Sequence, residues 1–231
     1  MVTLGPDGAW AELRAVDTDL MGTVPAGADL GAISTVPVAG ASALRALRRI
    51  GPLLGRRILV TAATGGTGRY AVQLARLGGA HVIASTGDPD TYGDGLRALG
   101  AHEVVAGPAG LGAPVDGVVD LVGGGQLVDA FTRLTKGGTL VSVGHVATDE
   151  GENFPYGALF GDDGRHDRSL VTFYLLDCPD LGPDLALLAA KVAAGELDAH
   201  VSWRGGWDKA PEAVEALLER RLHGKAVLDL R

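Results

Sequence analysis

Apolar and polar positions change period several times along this chain. GAWAELRAV (8–16) alternates like a strand, and TDLMGTVPAGADLGAI after it is a turn-rich connection. VAGASALRALRRIG then puts Ala43, Leu44, Leu47 and Ile50 on one helical face, with Arg45, Arg48 and Arg49 around the rest and Gly51-Pro52 as the stop. From there short apolar runs and helical stretches take turns. Strands are predicted at Arg57–Ala63, His81–Ser85, His102–Val105, VDGVVD, TLVSVGH (139–145), DRSLVTFYLL and the terminal KAVLDLR. Helices are predicted at Thr67–Leu77, Thr91–Leu99, QLVDAFTRL, LGPDLALLAAKVAAGEL and WDKAPEAVEALLERRLHGK.

Strands separated by helices need crossover connections, which make a parallel sheet covered on both faces. The expected fold class is therefore α/β, with a doubly wound parallel sheet. At 231 residues the chain is long enough for one large domain with an appendage and needs no covalent staple. Its single cysteine, Cys178, excludes an internal disulfide and any multi-cysteine zinc site. The net charge of −8 argues against nucleic acid as a partner, since phosphate binding needs a basic face. No apolar run approaches a membrane span, and MVTLGPDGAW has no signal-peptide pattern, so a cytoplasmic soluble protein is the expectation.

The stretch with the most chemistry is Ala63-Thr64-Gly65-Gly66-Thr67-Gly68, between an apolar strand and an amphipathic helix. Its frame is a dinucleotide-binding turn with alanine at the first glycine position. Gly65 lets the main chain approach a pyrophosphate, Gly68 lets the helix pack on the strand, and the helix start presents N–H groups to the phosphates. A purely structural βα corner is the plainer alternative. Replacement of Gly68 by aspartate is expected to abolish cofactor binding and leave the fold largely intact. At the end of the second strand, where an acidic residue would hold the ribose of NAD(H), stand Ser85 and Thr86. Their hydroxyls favour the 2′-phosphate of NADP(H), although Asp88 and Asp90 follow closely and would repel it.

With these residues in view, the chain resembles the zinc-independent, quinone oxidoreductase-like branch of the medium-chain dehydrogenase/reductase superfamily. The matching segments run in order: TVPVAGASALRAL, ILVTAATGGTG-YAVQLAR, LGAHEVV, VVDLVGG, LTKGGTLVSVG and HGKAVLDL. The resemblance implies a Rossmann domain at 34–184, a vestigial, truncated remnant of an N-terminal substrate domain at 1–33, and C-terminal helices and a strand at 185–231 that return to the remnant. It implies cofactor contacts from Ser42, from Thr64, Gly65, Gly66, Thr67 and Gly68, and from Ala84, Ser85 and Thr86. Val122, Gly123, Val143 and Gly144 match turns after later strands, and Phe173 and Leu175 match the nicotinamide wall. The lysine that grips a 2′-phosphate in relatives falls near Thr91 here. No metal is expected, because the positions of zinc ligands are not matched.

Three side chains are candidates for proton transfer. His145 follows Val143-Gly144 at the carboxyl end of a strand, and the phenols of Tyr174 and Tyr70 flank the expected nicotinamide and glycine turn. Each has a plain alternative as a surface or packed residue. Two functions remain open on the residues alone. One is NAD(P)H-dependent, metal-independent reduction of a conjugated carbonyl, an enone or quinone; the other is non-redox work, as a cyclase, isomerase or binding protein on a truncated reductase scaffold. A homodimer through the edge strand DRSLVTFYLL is also expected, because an uncovered edge invites pairing.

Overall fold

The computed structural model describes every residue except 9, 10, 12, 148–150, 161–163, 220 and 231. Its contacts divide the chain into two compact units: Met1–Ser42 with Tyr174–Arg231, and Ala43–Phe173. In chain order the strands are β1 (Val2–Thr3), β2 (Met21–Gly22), β3 (Arg57–Val60), β4 (His81–Ser85), β5 (Glu103–Val105), β6 (Val115–Asp120), β7 (Leu134–Ser142), β8 (Ser169–Thr172), β9 (Val201–Gly206) and β10 (Lys225–Asp229). The α-helices are α1 (Leu30–Ser34), α2 (Ala41–Ile50), α3 (Gly66–Leu77), α4 (Pro89–Ala98), α5 (Gly124–Thr132), α6 (Leu181–Ala193) and α7 (Ala210–Leu218).

The Ala43–Phe173 unit is a six-stranded sheet in the order β5-β4-β3-β6-β7-β8, with every neighbouring pair parallel. This is the expected doubly wound sheet. Strand side chains alternate between faces, and both faces are covered. On one, Leu59, Ile83, Val118 and Leu140 pack with Leu127, Ala130 and Phe131 of α5. On the other, Gly117 leaves room for Ile50 of α2: a Cβ there would lie 2.6 Å from its Cγ2. Each such leucine or isoleucine contributes about 1.5–3 kcal/mol on burial. The chain runs from β3 outward to β4 and β5, then returns to place β6 on the other side of β3. The reversal opens a crevice beyond the carboxyl ends of β3 and β6, where sheets of this kind take ligands.

At the opposite end of the sheet, Glu103 joins three strands. It accepts from Arg57 Nη1 at 2.9 Å and lies 2.7 Å from His81 Nε2. The Arg57 guanidinium, then His81, hold this carboxyl below the usual range against the cost of desolvation. A depressed carboxylate contributes stability above its unfolded pKa and loses it as pH falls through the folded one. Glu103→Gln is therefore expected to cost roughly 0.5–1 kcal/mol at pH 7, a size suited to a partly exposed pair. The difference should shrink as pH falls below the unfolded value and vanish below the folded one. Thermal melts of both proteins at pH 7 and pH 3 check this, and an equal deficit at both would refute it.

In the other unit, β1 and β2 pair antiparallel and β9 and β10 pair parallel. Helix α6 sits so close to β2 that a Cβ on Gly22 would meet Ala186 N at 2.5 Å, and one on Gly182 would meet Met21 O at 2.7 Å. Arg204 of β9 bridges Asp29, the N-cap of α1, at 2.9 Å and Asp229 of β10 at 2.8 Å.

Several sequence expectations change. Residues 9, 10 and 12 of the GAWAELRAV run lie outside the described residues, and the rest of the run forms no strand. Leu13 is exposed, so the alternation meets no apolar layer, while Arg14 reaches back to Thr3 Oγ1 at 2.9 Å. Strand β7 begins five residues before the expected TLVSVGH, because Leu134 already pairs with Val115 before the register shifts. Trp203 lies within β9, a strand that the apolar pattern did not predict.

Candidate active site

The glycine turn follows β3 directly. Thr61 N donates to Val119 O at 3.1 Å and Ala63 N to Ser85 O at 2.9 Å, which ties the turn to both flanking strands. Ala62 takes a left-handed φ of +44°, so its carbonyl points back to accept from Gly65 N at 3.0 Å. Gly68 packs on this corner: a Cβ on it would lie 2.4 Å from Ala62 O and 2.7 Å from Ala63 Cα. The outer side differs. A Cβ on Gly65 would meet only Ala62 O, at 3.3 Å, and Gly65 is exposed. Gly65 is the N-cap of α3, and among the described residues no side chain caps this helix. The first-turn N–H groups and the positive end of a twelve-residue helix therefore carry no side-chain acceptor among those residues. This geometry fits a pyrophosphate held by Gly65, Gly66 and Thr67.

The neighbouring turn, after β6, is fixed by a buried polar link. Thr61 Oγ1 donates to Asp120 Oδ1 at 2.9 Å and accepts from Leu121 N at 2.8 Å, while Asp120 Oδ2 accepts from Gly123 N at 2.9 Å. Both side chains have 0% exposure. Burial raises the Asp120 carboxyl, and the Gly123 amide and Thr61 hydroxyl oppose the rise. A third turn joins them, since Val143 N donates to Asp120 O at 2.8 Å and Val146 N to Val122 O at 3.0 Å. Gly123 has φ +76°, and a Cβ on it would strike the His145 ring 2.3 Å away. The side chain of His145 is about half exposed, with Nε2 3.3 Å from Glu152 Oε1. Glu152 Oε1 also accepts from Gly124 N, at 3.0 Å, at the start of α5. That amide, chiefly, and His145 hold the Glu152 carboxyl below the usual range.

The structure therefore gathers Thr64–Gly68, Ser85, Val122, Gly123, Val143, Gly144 and His145 around three linked turns. Ala84, Ser85 and Thr86 are buried, and the Thr86 hydroxyl accepts from Asp88 N at 3.4 Å. Tyr70 is 1% exposed and lies in the core behind the glycine turn. Phe173 lies under the Arg49 guanidinium, 4.1 Å from its ring centroid. Ser42, Tyr174 and Leu175 belong to the other unit; Ser42 is buried, and Tyr174 is exposed. A cavity of about 700 Å³ in that unit is lined by Asp17, Met21 and Cys178 among others. The Cys178 thiol there donates to Tyr174 O at 3.5 Å. Sequence reasoning missed Glu152, whose partner amide lies 28 residues away. It also missed the cap made by Asp88, which accepts from Thr91 N at 3.0 Å and starts α4.

A family profile described as "Zinc-binding dehydrogenase" matches residues 77–228. The chain belongs to the zinc-binding dehydrogenase family. Its architecture is that of the quinone oxidoreductase-like medium-chain dehydrogenases/reductases. Among curated relatives, a chloroplast envelope quinone oxidoreductase homolog of Arabidopsis thaliana is 43% identical over 106 residues, 42% of this chain and 31% of the relative. Erythronolide synthase EryA2 of Saccharopolyspora erythraea is 32% identical across 96% of this chain, which corresponds to 6% of that protein. The chain thus spans less than a third of the length of these relatives. Among solved structures, the yhfP protein of Bacillus subtilis with NAD bound superposes with a TM-score of 0.76 at 25% identity, covering 99% of this chain and 72% of that one. Among the described residues no three or more His, Cys, Asp or Glu side chains are grouped to hold a metal ion. Also among the described residues, no helix is long and apolar enough to cross a membrane.

Proposed function

We propose that this chain is the nucleotide-binding body of a nicotinamide-dependent oxidoreductase that reduces a conjugated carbonyl of the enone or quinone type without a metal. The observation that carries the reading is the start of α3, without a side-chain cap among the described residues, behind a turn that Gly68 packs tightly. The quinone oxidoreductase names of relatives support the substrate class and favour redox work over a cyclase or isomerase. A bound nicotinamide supplies the hydride. The chain's own part is to hold the pyrophosphate on the Gly66 and Thr67 amides, to brace the β6 turn through Asp120, and to present His145 beside Gly123. From there the imidazole can donate a proton to the oxygen that gains charge.

The choice of nucleotide follows from β4. The expectation of NADP(H) rested on Ser85 and Thr86, but Ser85 is 2% exposed and offers a phosphate no hydroxyl. Asp88, exposed three residues beyond β4, is held below the usual carboxyl range chiefly by the Thr91 hydroxyl and amide. A fixed anion there repels a 2′-phosphate and suits a ribose 2′-OH, which supports NAD(H). The homodimer reading draws support from β8, which among the described residues pairs with β7 alone and whose Leu170 is exposed.

Fluorescence titration with NADH and NADPH, followed by assays on simple quinones and enones, tests the proposal. Light scattering on the same sample tests the dimer. NADH is expected to bind in the micromolar range, more tightly than NADPH, with turnover. Absence of binding by either nucleotide would overturn the function, tighter NADPH binding the nucleotide choice, and a monomeric mass the dimer.

A further inference from the structure

The contact that the nucleotide reading leaves without a purpose is Glu152 on the start of α5. Helix α5 has nine residues, and its N-cap Gly123 provides no side-chain cap. The acceptor for Gly124 N comes instead from the long connection between β7 and β8, at 3.0 Å. The same carboxylate oxygen lies 3.3 Å from His145 Nε2. Two residues on, Phe154 meets Phe131 of α5 edge-on, with 5.5 Å between ring centroids. Segment Gly151–Ala158 is therefore a strap fixed along α5, with a hydrophobic hold at Phe154 and an ionic one at Glu152. The two holds differ in kind. Phe154 packs against the buried core, whereas the Glu152 and His145 side chains are 36% and 53% exposed and their pairing is open to competition by solvent and ligand.

We propose that Glu152 is an internal latch: its carboxylate occupies the Gly124 amide and His145 at the crevice, and the nicotinamide nucleotide must release it to bind fully. This inference rests on the nucleotide reading above. The turn it closes, Val122–Gly123, is joined to the glycine turn through Asp120 and Thr61, so an occupant of the crevice meets both. A carboxylate held at the crevice also opposes the approach of an anionic nucleotide. Only the fraction of molecules with the latch open is competent, so the apparent affinity falls by that fraction.

The test compares the wild-type chain with Glu152→Ala and Glu152→Gln, using NADH as the probe and hydrogen exchange at Gly124 as a readout independent of nucleotide. Glu152→Ala is expected to bind NADH roughly fivefold more tightly, at the lower end of ordinary coupling between sites. Gly124 should exchange faster in that variant, while Glu152→Gln, which keeps an acceptor but loses the charge, should fall between. If wild type and Glu152→Ala bind NADH equally, or the variant binds more weakly, the latch is refuted and the nucleotide site stands. If none of the three binds, the latch and the nucleotide reading fall together. Unchanged Gly124 exchange in Glu152→Ala would show that the contact is not formed in solution and refute the latch on its own.

Discussion

Gly68→Ala is expected to cost the protein about 3 kcal/mol or more and to eliminate nucleotide binding. The new Cβ would sit 2.4 Å from Ala62 O and 2.7 Å from Ala63 Cα, and both are backbone atoms that no rotamer change can move. Either the end of β3 or the start of α3 has to shift, and overpacking of this kind costs 1–3 kcal/mol, occasionally more. The structure thereby revises the expectation that Gly68→Asp would leave the fold largely intact, since the larger side chain meets the same wall. Gly65→Ala is the informative comparison. Its Cβ faces one carbonyl at 3.3 Å and otherwise open space, so thermal stability should change little while the approach of a pyrophosphate is blocked. Melting curves and NADH fluorescence on both variants check this. A Gly68→Ala protein that melts like wild type would refute the packing argument, and Gly65→Ala with full affinity would refute the site.

Asp120→Ala is expected to destabilise by about 3 kcal/mol, because removing one partner of a buried network leaves the others desolvated. The Thr61 hydroxyl would lose its acceptor at 2.9 Å and Gly123 N its acceptor at 2.9 Å. Asp120→Asn keeps one acceptor oxygen but turns an NH₂ toward the second donor, so about half the loss should remain. The pH dependence has a definite sign. A carboxyl raised by burial contributes stability below its unfolded pKa and loses it as pH rises through the folded value. The deficit of Asp120→Asn should therefore shrink between pH 4 and pH 7. Urea unfolding across that range measures it, and a deficit that grows with pH would contradict the assigned burial.

Much of the sheet was legible because its signal is local. The runs at 57–60, 81–85 and 115–120 are mostly apolar and almost wholly buried, as strands inside a parallel sheet are. The glycine turn was legible for the same reason, since close packing and phosphate approach both demand glycine at fixed offsets. The links between turns were not. Asp120 reads as a turn cap in VVDLVGG, and nothing near it names Thr61, 59 residues earlier. Glu152 sits in a polar stretch with no periodicity, so its place on α5 is set by the path of the connection from β7. The environment of the residues behind the NADP(H) expectation was not legible either. Ser85 ends a strand whose final residues are buried, so its hydroxyl turns inward, and Asp88 was read as a charge without its cap on α4.

The unit formed by Met1–Ser42 and Tyr174–Arg231 is discontinuous, and this bears on the order in which its parts can fold. The ribosome releases Ala43–Phe173 as one stretch, which can fold as soon as it emerges. The opening residues must wait. Arg204 and Asp229, which clamp Asp29, and α6, against which β2 lies, all follow Phe173 in the sequence. Until they emerge, Asp29 lacks its clamp and β2 its helix, so a chain interrupted between Phe173 and α6 leaves both without these partners.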